Sequence, residues 1–196
     1  MHENSFFRID DLSEPYNALK MTEYFISQVD SEEYHLKWAI IAIHNSLQGF
    51  MVLALRGTSN LQIIKKNKTN KGKNAYEILS NPENKLDNFL NLFQKIQNDK
   101  FMKQNISSNT LICNEEMKQS IEWLNETRNN LIHYLLSGYS IEINSICFSL
   151  LNCLKIISFL VNESNNFNYR YETKDIKDIN NLISKIEQKL LAFCSS

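Results

Sequence analysis

Glycine and proline are scarce in this chain, 4 and 2 residues of 196. A sandwich or barrel needs a turn residue about every 8–12 positions, so the scarcity disfavours all-β architectures and favours long helices. Cysteine is sparse too. The four thiols, Cys113, Cys147, Cys153 and Cys194, form no C-x-x-C pair and have no His partners at zinc spacing. Cys147 and Cys153 sit in apolar sequence and read as small buried hydrophobes. An excess of one charge is missing as well. The net charge of −1 excludes a wholly basic nucleic-acid coat but leaves room for a local basic site. No apolar core follows the opening M-H-E-N-S-F-F-R, so no secretory signal is expected. Free thiols and a cytoplasmic setting follow from that reading. The most apolar run, Trp38 to Leu55, carries His44, Asn45 and Gln48 at its centre. Three uncompensated polar groups at a bilayer midplane are costly, so it reads as a buried helix and not a membrane span.

What is present is an ordinary globular composition, 43% apolar and 22% charged, enough for a sizeable core. Asparagine is abundant at 26 residues, a bias that fits an AT-rich genome as well as any function. The length suggests one domain spanning 1–196. Its expected class is all-α, an antiparallel bundle of about five to seven helices.

The helices read in order. Ser13-Glu14-Pro15 opens one over 15–30. A long apolar helix over 32–57 ends at Gly57 in the left-handed position past the last turn. Asn81-Pro82 precedes an amphipathic segment running to about residue 103, with Leu86, Phe89, Leu90, Phe93 and Ile96 on one face. Residues 104–113 read as a loop. Asn114 caps a helix over 114–136, with Glu115 and Glu116 in its first turn, broken near Ser137-Gly138. Residues 140–162 are apolar on nearly every face and read as a core helix. Residues 162–171 read as a loop. The C-terminal segment 172–196 places Ile176, Ile179, Ile183, Ile186, Leu190 and Phe193 at 3-4-3-4-3 spacing. That stripe packs on its own bundle or forms an oligomer seam.

Residues 65–74 read K-K-N-K-T-N-K-G-K-N. This basic loop carries +5, leaving the remainder at −6. Its Lys65, Lys66, Lys68, Lys71 and Lys73 are a solvated loop or a contact for phosphates that reads no sequence. Phe167, Tyr169 and Tyr171 with Arg170 are suited to covering the bundle end or, alternatively, to stacking bases. No phosphate-loop motif and no carboxylate pair at two-metal spacing occurs, which argues against an NTPase or a metal nuclease.

The segment that can carry chemistry is I-E-W-L-N-E-T-R-N-N-L-I-H-Y-L-L, residues 121–136. Leu124, Leu131 and Leu135 make an inward stripe joined by Ile121. Glu126, Arg128, Asn129 and His133 lie mostly off it. Asn129 and His133 are four apart and share a helix face. A guanidinium takes phosphate oxygens in a fork, an imidazole moves protons near neutrality, and an amide orients either. Together they suit a phosphodiester. Glu126, two before Arg128, is placed to orient the guanidinium. His44, Asn45 and Gln48 form either a satisfied hydrogen-bond network inside the bundle or a polar wall for this site.

The string R-N-N-L-I-H resembles the R-x(4–6)-H motif of the HEPN superfamily, in which a polar residue, often Asn, follows the Arg. Residues 34–58 resemble the first long helix of a HEPN family borne by bacterial plasmids and mobile elements. The two likenesses together cover about 20–163. The resemblance implies a metal-independent endoribonuclease without cofactor. Arg128, Asn129 and His133 from two subunits would meet at a homodimer interface to make one composite site on RNA. Its products would be a 2′,3′-cyclic phosphate and a 5′-hydroxyl. It also implies a toxin–antitoxin or phage-defence setting, with an antitoxin or other defence protein as a further partner. One departure stands out. Related toxins modified by nucleotidyltransferases carry Tyr two after the His. Here Tyr134 is one after it and Leu135 is two after. The alternatives to an enzyme are a catalytically silent HEPN module that binds a protein or nucleotide, and a plain helical scaffold.

Overall fold

Eight α-helices and one 3₁₀ turn make up the regular structure of the described residues, and among these no strand forms. The computed structural model describes residues 9–57, 60–65, 72–133, 138, 140–167 and 172–194. Lys66, Lys68, Lys71, Tyr134, Leu135, Tyr169, Arg170 and Tyr171 lie outside them. The helices are α1 (Ser13–Ser27), α2 (His35–Leu55), α3 (Ala75–Leu79), α4 (Phe89–Ile96), α5 (Asp99–Met102), α6 (Glu115–Ile132), α7 (Ile143–Asn162) and α8 (Thr173–Cys194). The 3₁₀ turn is Leu61–Ile63. The architecture is the all-α bundle that the scarcity of turn residues implies. The count exceeds five to seven because α3 and α5 are single turns of 5 and 4 residues, too short for a periodicity signal.

Helix α2 is the axis of the bundle and touches α1, α4, α6 and α7. Ile43, Leu47, Phe50, Met51 and Leu55 are fully enclosed along it. Two helices, α2 and α7, are long and apolar enough to cross a membrane by length and composition. The sequence reading granted this to neither. Within the bundle, 67% and 56% of those apolar windows are buried.

Helices α1 and α2 approach closely at Gly49. Ser46 Oγ donates to the Pro15 carbonyl at 2.9 Å. A Cβ on Gly49 would lie 2.9 Å from Pro15 Cβ and closer still to its Cγ. Gly49→Val therefore forces this pair apart. Overpacking of this kind costs about 1–3 kcal/mol, and a loss of that size in urea unfolding is the expected result. An unchanged midpoint would show that the two helices slide freely.

Asparagine side chains cap the starts of α3, α4, α5 and α6. Asn114 Oδ1 accepts from the Met117 N–H at 2.8 Å, as the sequence suggests. Gly57 takes φ +54°, the left-handed turn expected past α2. The C-terminal stripe packs inward, with Ile179, Ile183, Ile186 and Leu190 buried against the bundle, where α8 meets α1 and α7. It is thus core, and Lys189 ties it to Glu23 at 2.8 Å. Phe167 is likewise enclosed and meets Phe50, their ring centres 5.8 Å apart.

Four expectations are corrected. The helix expected up to residue 103 begins only at Phe89 and breaks after Ile96. Asn88 and Asn98 supply side-chain acceptors that start α4 and α5 separately. Leu86 belongs instead to an isolated antiparallel bridge with Ile64. The helix expected over 114–136 ends at Ile132. The capping box of Asn74 with Glu77 starts α3 in what reads as the end of a loop. Finally, the four thiols are not all free. Cys147 near the start of α7 and Cys194 at the end of α8 form a disulfide, Cα atoms 6.5 Å apart. The packing of α7 on α8 brings together residues 47 apart in sequence, which no spacing rule reveals. Cys113 and Cys153 remain thiols, and burial pushes that of Cys153 far above its usual range.

Candidate functional site

Helix α6 turns Ile121, Leu124 and Thr127 into the core, with Leu131 half-buried one turn on. This places Arg128 and Asn129 at the edge of the core, facing α2 and the start of α4. A pocket of ≈ 480 Å³ opens there. From α6 it takes Asn125, Arg128 and Asn129, and from α2 His44 and Gln48. Asn88, Phe89 and Leu90 close it at the first turn of α4.

Within the pocket, Arg128 Nη1 donates to Asn129 Oδ1 at 3.0 Å. Arg128 Nε is buried and meets no hydrogen-bond partner. His44 is 3% exposed, and its ring lies against Phe89 with centroids 4.0 Å apart. Burial, and then the positive charge of Arg128, hold its pKa down to about 4; Asn125 and Asn45 ease this in part. His44 is therefore neutral at pH 7. Of the two roles open to His44, a hydrogen-bonded network inside the bundle or a polar wall, the structure places the ring in the pocket wall, with Asn125 and Asn45 as its polar neighbours.

The first turn of α4 adds a second source of positive potential. Asn88 Oδ1 takes the Asn91 N–H at 2.8 Å, and the Asn88 carbonyl takes the Leu92 N–H at 3.0 Å. Phe89 and Leu90 occupy the two helical positions before these, whose N–H groups have no acceptor within a helix. Both belong to the pocket wall. The start of α4 is fixed from behind by a buried ion pair. Lys95 Nζ lies 2.7 Å from Asp87 Oδ2 and donates to the Gln62 carbonyl at 2.6 Å. Asp87 also accepts from the Asn88 N–H and from the Asn91 side chain. Burial pushes the Asp87 pKa up, but its bonds from Lys95 and Asn91 outweigh that and hold it below the ordinary value.

The structure thus joins Arg128, Asn129 and His44, and leaves other candidates apart. His133 sits just past the end of α6, where its backbone is extended at φ −86°, ψ 142°. Its N–H still reaches the Asn129 carbonyl at 3.2 Å, but its side chain is exposed and takes no part in the pocket wall. The shared helix face expected for Asn129 and His133 is lost because the helix stops one residue short. Glu126 is exposed, and the guanidinium instead donates to Asn129 Oδ1. Asn45 is exposed on α2. Lys65 and Lys73 are exposed, while Lys66, Lys68, Lys71 and Tyr134 fall outside the described residues. Asn125 and the first turn of α4 escaped the sequence reading. Asn125 stands three before Arg128 and four before Asn129, a spacing that marks a common face.

Among the described residues no three His, Cys, Asp or Glu side chains gather as metal ligands. The chain matches no protein-family model, and no curated protein or solved structure is significantly similar to it.

Proposed function

We propose that this chain is an RNA-cleaving enzyme of the HEPN kind, active as a two-fold homodimer. The observation that carries this reading is the order along α6. Arg128 and Asn129 are hydrogen-bonded to each other at the mouth of a polar pocket, and His133 stands exposed just beyond them. Transesterification by the RNA's own 2′-hydroxyl needs a proton acceptor, a proton donor and cover for charge on the phosphorus oxygens. One chain offers one exposed His in this string, and a two-fold axis beside the end of α6 offers two. One His133 takes the 2′-hydroxyl proton. The 2′ oxygen bonds to phosphorus, and the bond to the 5′ oxygen breaks as the second His133 returns a proton to it. The two Arg128 groups cover the phosphorane. A toxin or phage-defence role with a partner antitoxin belongs to the same proposal, on the strength of the sequence resemblance.

Concentration tests the composite site. Specific activity on RNA should fall as the protein is diluted through its dimer dissociation constant, with sedimentation reporting dissociation over the same range. Activity should persist in EDTA. A monomer of constant specific activity overturns the mechanism. A second reading, a silent module that binds a nucleotide, is favoured by one observation: the pocket around Arg128 is complete within one chain without His133. A stable dimer that cuts no RNA selects it.

A further inference from the structure

Helices α7 and α8 pack antiparallel and are pinned at both ends. At one end Asn162 and Asn180 exchange amide bonds, each Nδ2 donating to the other's Oδ1 at 2.9 Å. At the other end Cys147 and Cys194 share a disulfide. Between the pins, Ile183, Ile186 and Leu190 are buried in the core. Lys189 adds its ion pair to Glu23 of α1 at 2.8 Å. Most of α8 is therefore held without the sulfur bond. Only its last turn, 191–194, lies beyond these holds. Leu191 is 56% exposed there, and Phe193 and Cys194 are half-buried.

Disulfides are needed as staples where a domain is too small to build a sufficient core. This chain has 196 residues and one continuous core. Its other two cysteines, Cys113 and Cys153, stay thiols. The two bonded sulfurs also differ in access. Cys147 is 3% exposed within α7, whereas Cys194 closes the terminal turn of α8 and is half-buried. Exchange requires a thiolate to reach a sulfur, so exposed disulfides are the labile ones and enclosed ones resist. Cys194 Sγ is the sulfur that a small thiol reaches.

We infer that Cys147–Cys194 is a reversible latch, opened by small thiols of the glutathione class, that docks or frees the last turn of α8. A glutathione thiolate attacks Cys194 Sγ and bonds to it. The protein disulfide breaks, its electron pair goes to Cys147, and Cys147 takes a proton from solvent. A second thiolate attacks the glutathione sulfur of the mixed disulfide. Glutathione disulfide leaves, and Cys194 is protonated in turn. Two glutathione thiols are oxidised to one disulfide as the protein disulfide is reduced to two thiols. Excess glutathione disulfide drives the same steps backwards. Once freed, the last turn frays, while Leu190, Lys189 and the Asn162–Asn180 pair keep the rest of α8 in place. No residue of α8 lines the pocket at Arg128, so the latch does not rest on RNA cleavage.

The whole native chain is equilibrated in reduced glutathione or in its disulfide, alkylated with iodoacetamide and mapped by peptide mass spectrometry. In the reduced buffer Cys194 should be alkylated. In the oxidised buffer the Cys147 and Cys194 peptides should be joined. Amide hydrogen exchange over 191–194 should be at least about tenfold faster in the reduced chain, with less than about a twofold change over 179–187. Cys194→Ser, close to Cys in size, should show the fast pattern in both buffers. Peptides that stay joined in reduced glutathione mark a structural staple and overturn the latch. Peptides that are never joined overturn it too, because no bond closes. Opening without faster exchange in the last turn shows that nothing is released. Opening with fast exchange throughout α8 shows that the bond holds the whole helix. Either result overturns the proposal.

Discussion

Replacing Lys95 by Met should lower the unfolding free energy by about 3–5 kcal/mol, the usual loss when one partner of a buried ion pair is removed. Lys95 and Asp87 retain 9% and 4% of their side-chain exposure, so both charges are largely withheld from water. With Lys95 gone, Asp87 keeps its bonds from Asn88 and Asn91 but loses its countercharge. The Gln62 carbonyl loses its donor as well. Adding Asp87→Leu should recover much of the loss, because the stranded charge goes with it. Urea unfolding of the single and double variants checks both statements. A single-variant loss below about 1 kcal/mol would mean that the pair is hydrated, as surface pairs are.

The same pair predicts a direction in pH. Asp87 titrates below its ordinary value in the fold, so the unfolded chain binds more protons there. Its contribution is present above the unfolded pKa and is lost as pH falls through the folded one. His44, held down to about 4, adds to the loss earlier in the descent, since the unfolded chain takes up its proton first, near the ordinary value of 6.5.

The consequence for function is geometric. Asp87 and Lys95 hold the segment before α4 against the 3₁₀ turn, where the Asp87 N–H also meets the Ile63 carbonyl at 2.8 Å. That fixes where the amides of Phe89 and Leu90 point. Weakening the pair therefore loosens one wall of the pocket before it touches Arg128.

The bundle was legible because its signals are long. Nearly all-round apolar patterning over α7 and the 3-4-3-4-3 stripe of α8 survive any local disturbance. That Arg128 and Asn129 lie off the core face was legible for the same reason, since that face is set by Ile121 and Leu124. The α4 boundary was not, because Leu86 continues the apolar phase of Phe89 and Phe93 while its backbone pairs with Ile64. Asp87, Asn91 and Lys95 do stand four apart, but the partner that makes Lys95 structural, the Gln62 carbonyl, is 33 residues away. The Cys147–Cys194 bond is another product of tertiary contact. His44 was noticed with two readings open, and the structure places it in the pocket wall. Sequence places a His inside an apolar helix, and only packing decides whether its nitrogens find partners.

His133→Ala should reduce RNA cleavage by about 10²–10⁴, the range lost with a proton-transfer group, while leaving stability nearly unchanged. The two halves of that statement have separate causes. His133 lies beyond the last residue of α6 with its side chain in solvent, and the contact it makes to Asn129 is through its backbone N–H, which Ala retains. A substitution at such a place shifts stability by only about ±0.5 kcal/mol. A fall in rate at constant melting temperature therefore reports chemistry. His44→Ala is the instructive contrast: it removes a buried ring stacked on Phe89, so a loss of activity there comes with a loss of stability. Cleavage undiminished in His133→Ala would sink the ribonuclease mechanism, because no other exposed imidazole lies in the R-N-N-L-I-H string to move the proton.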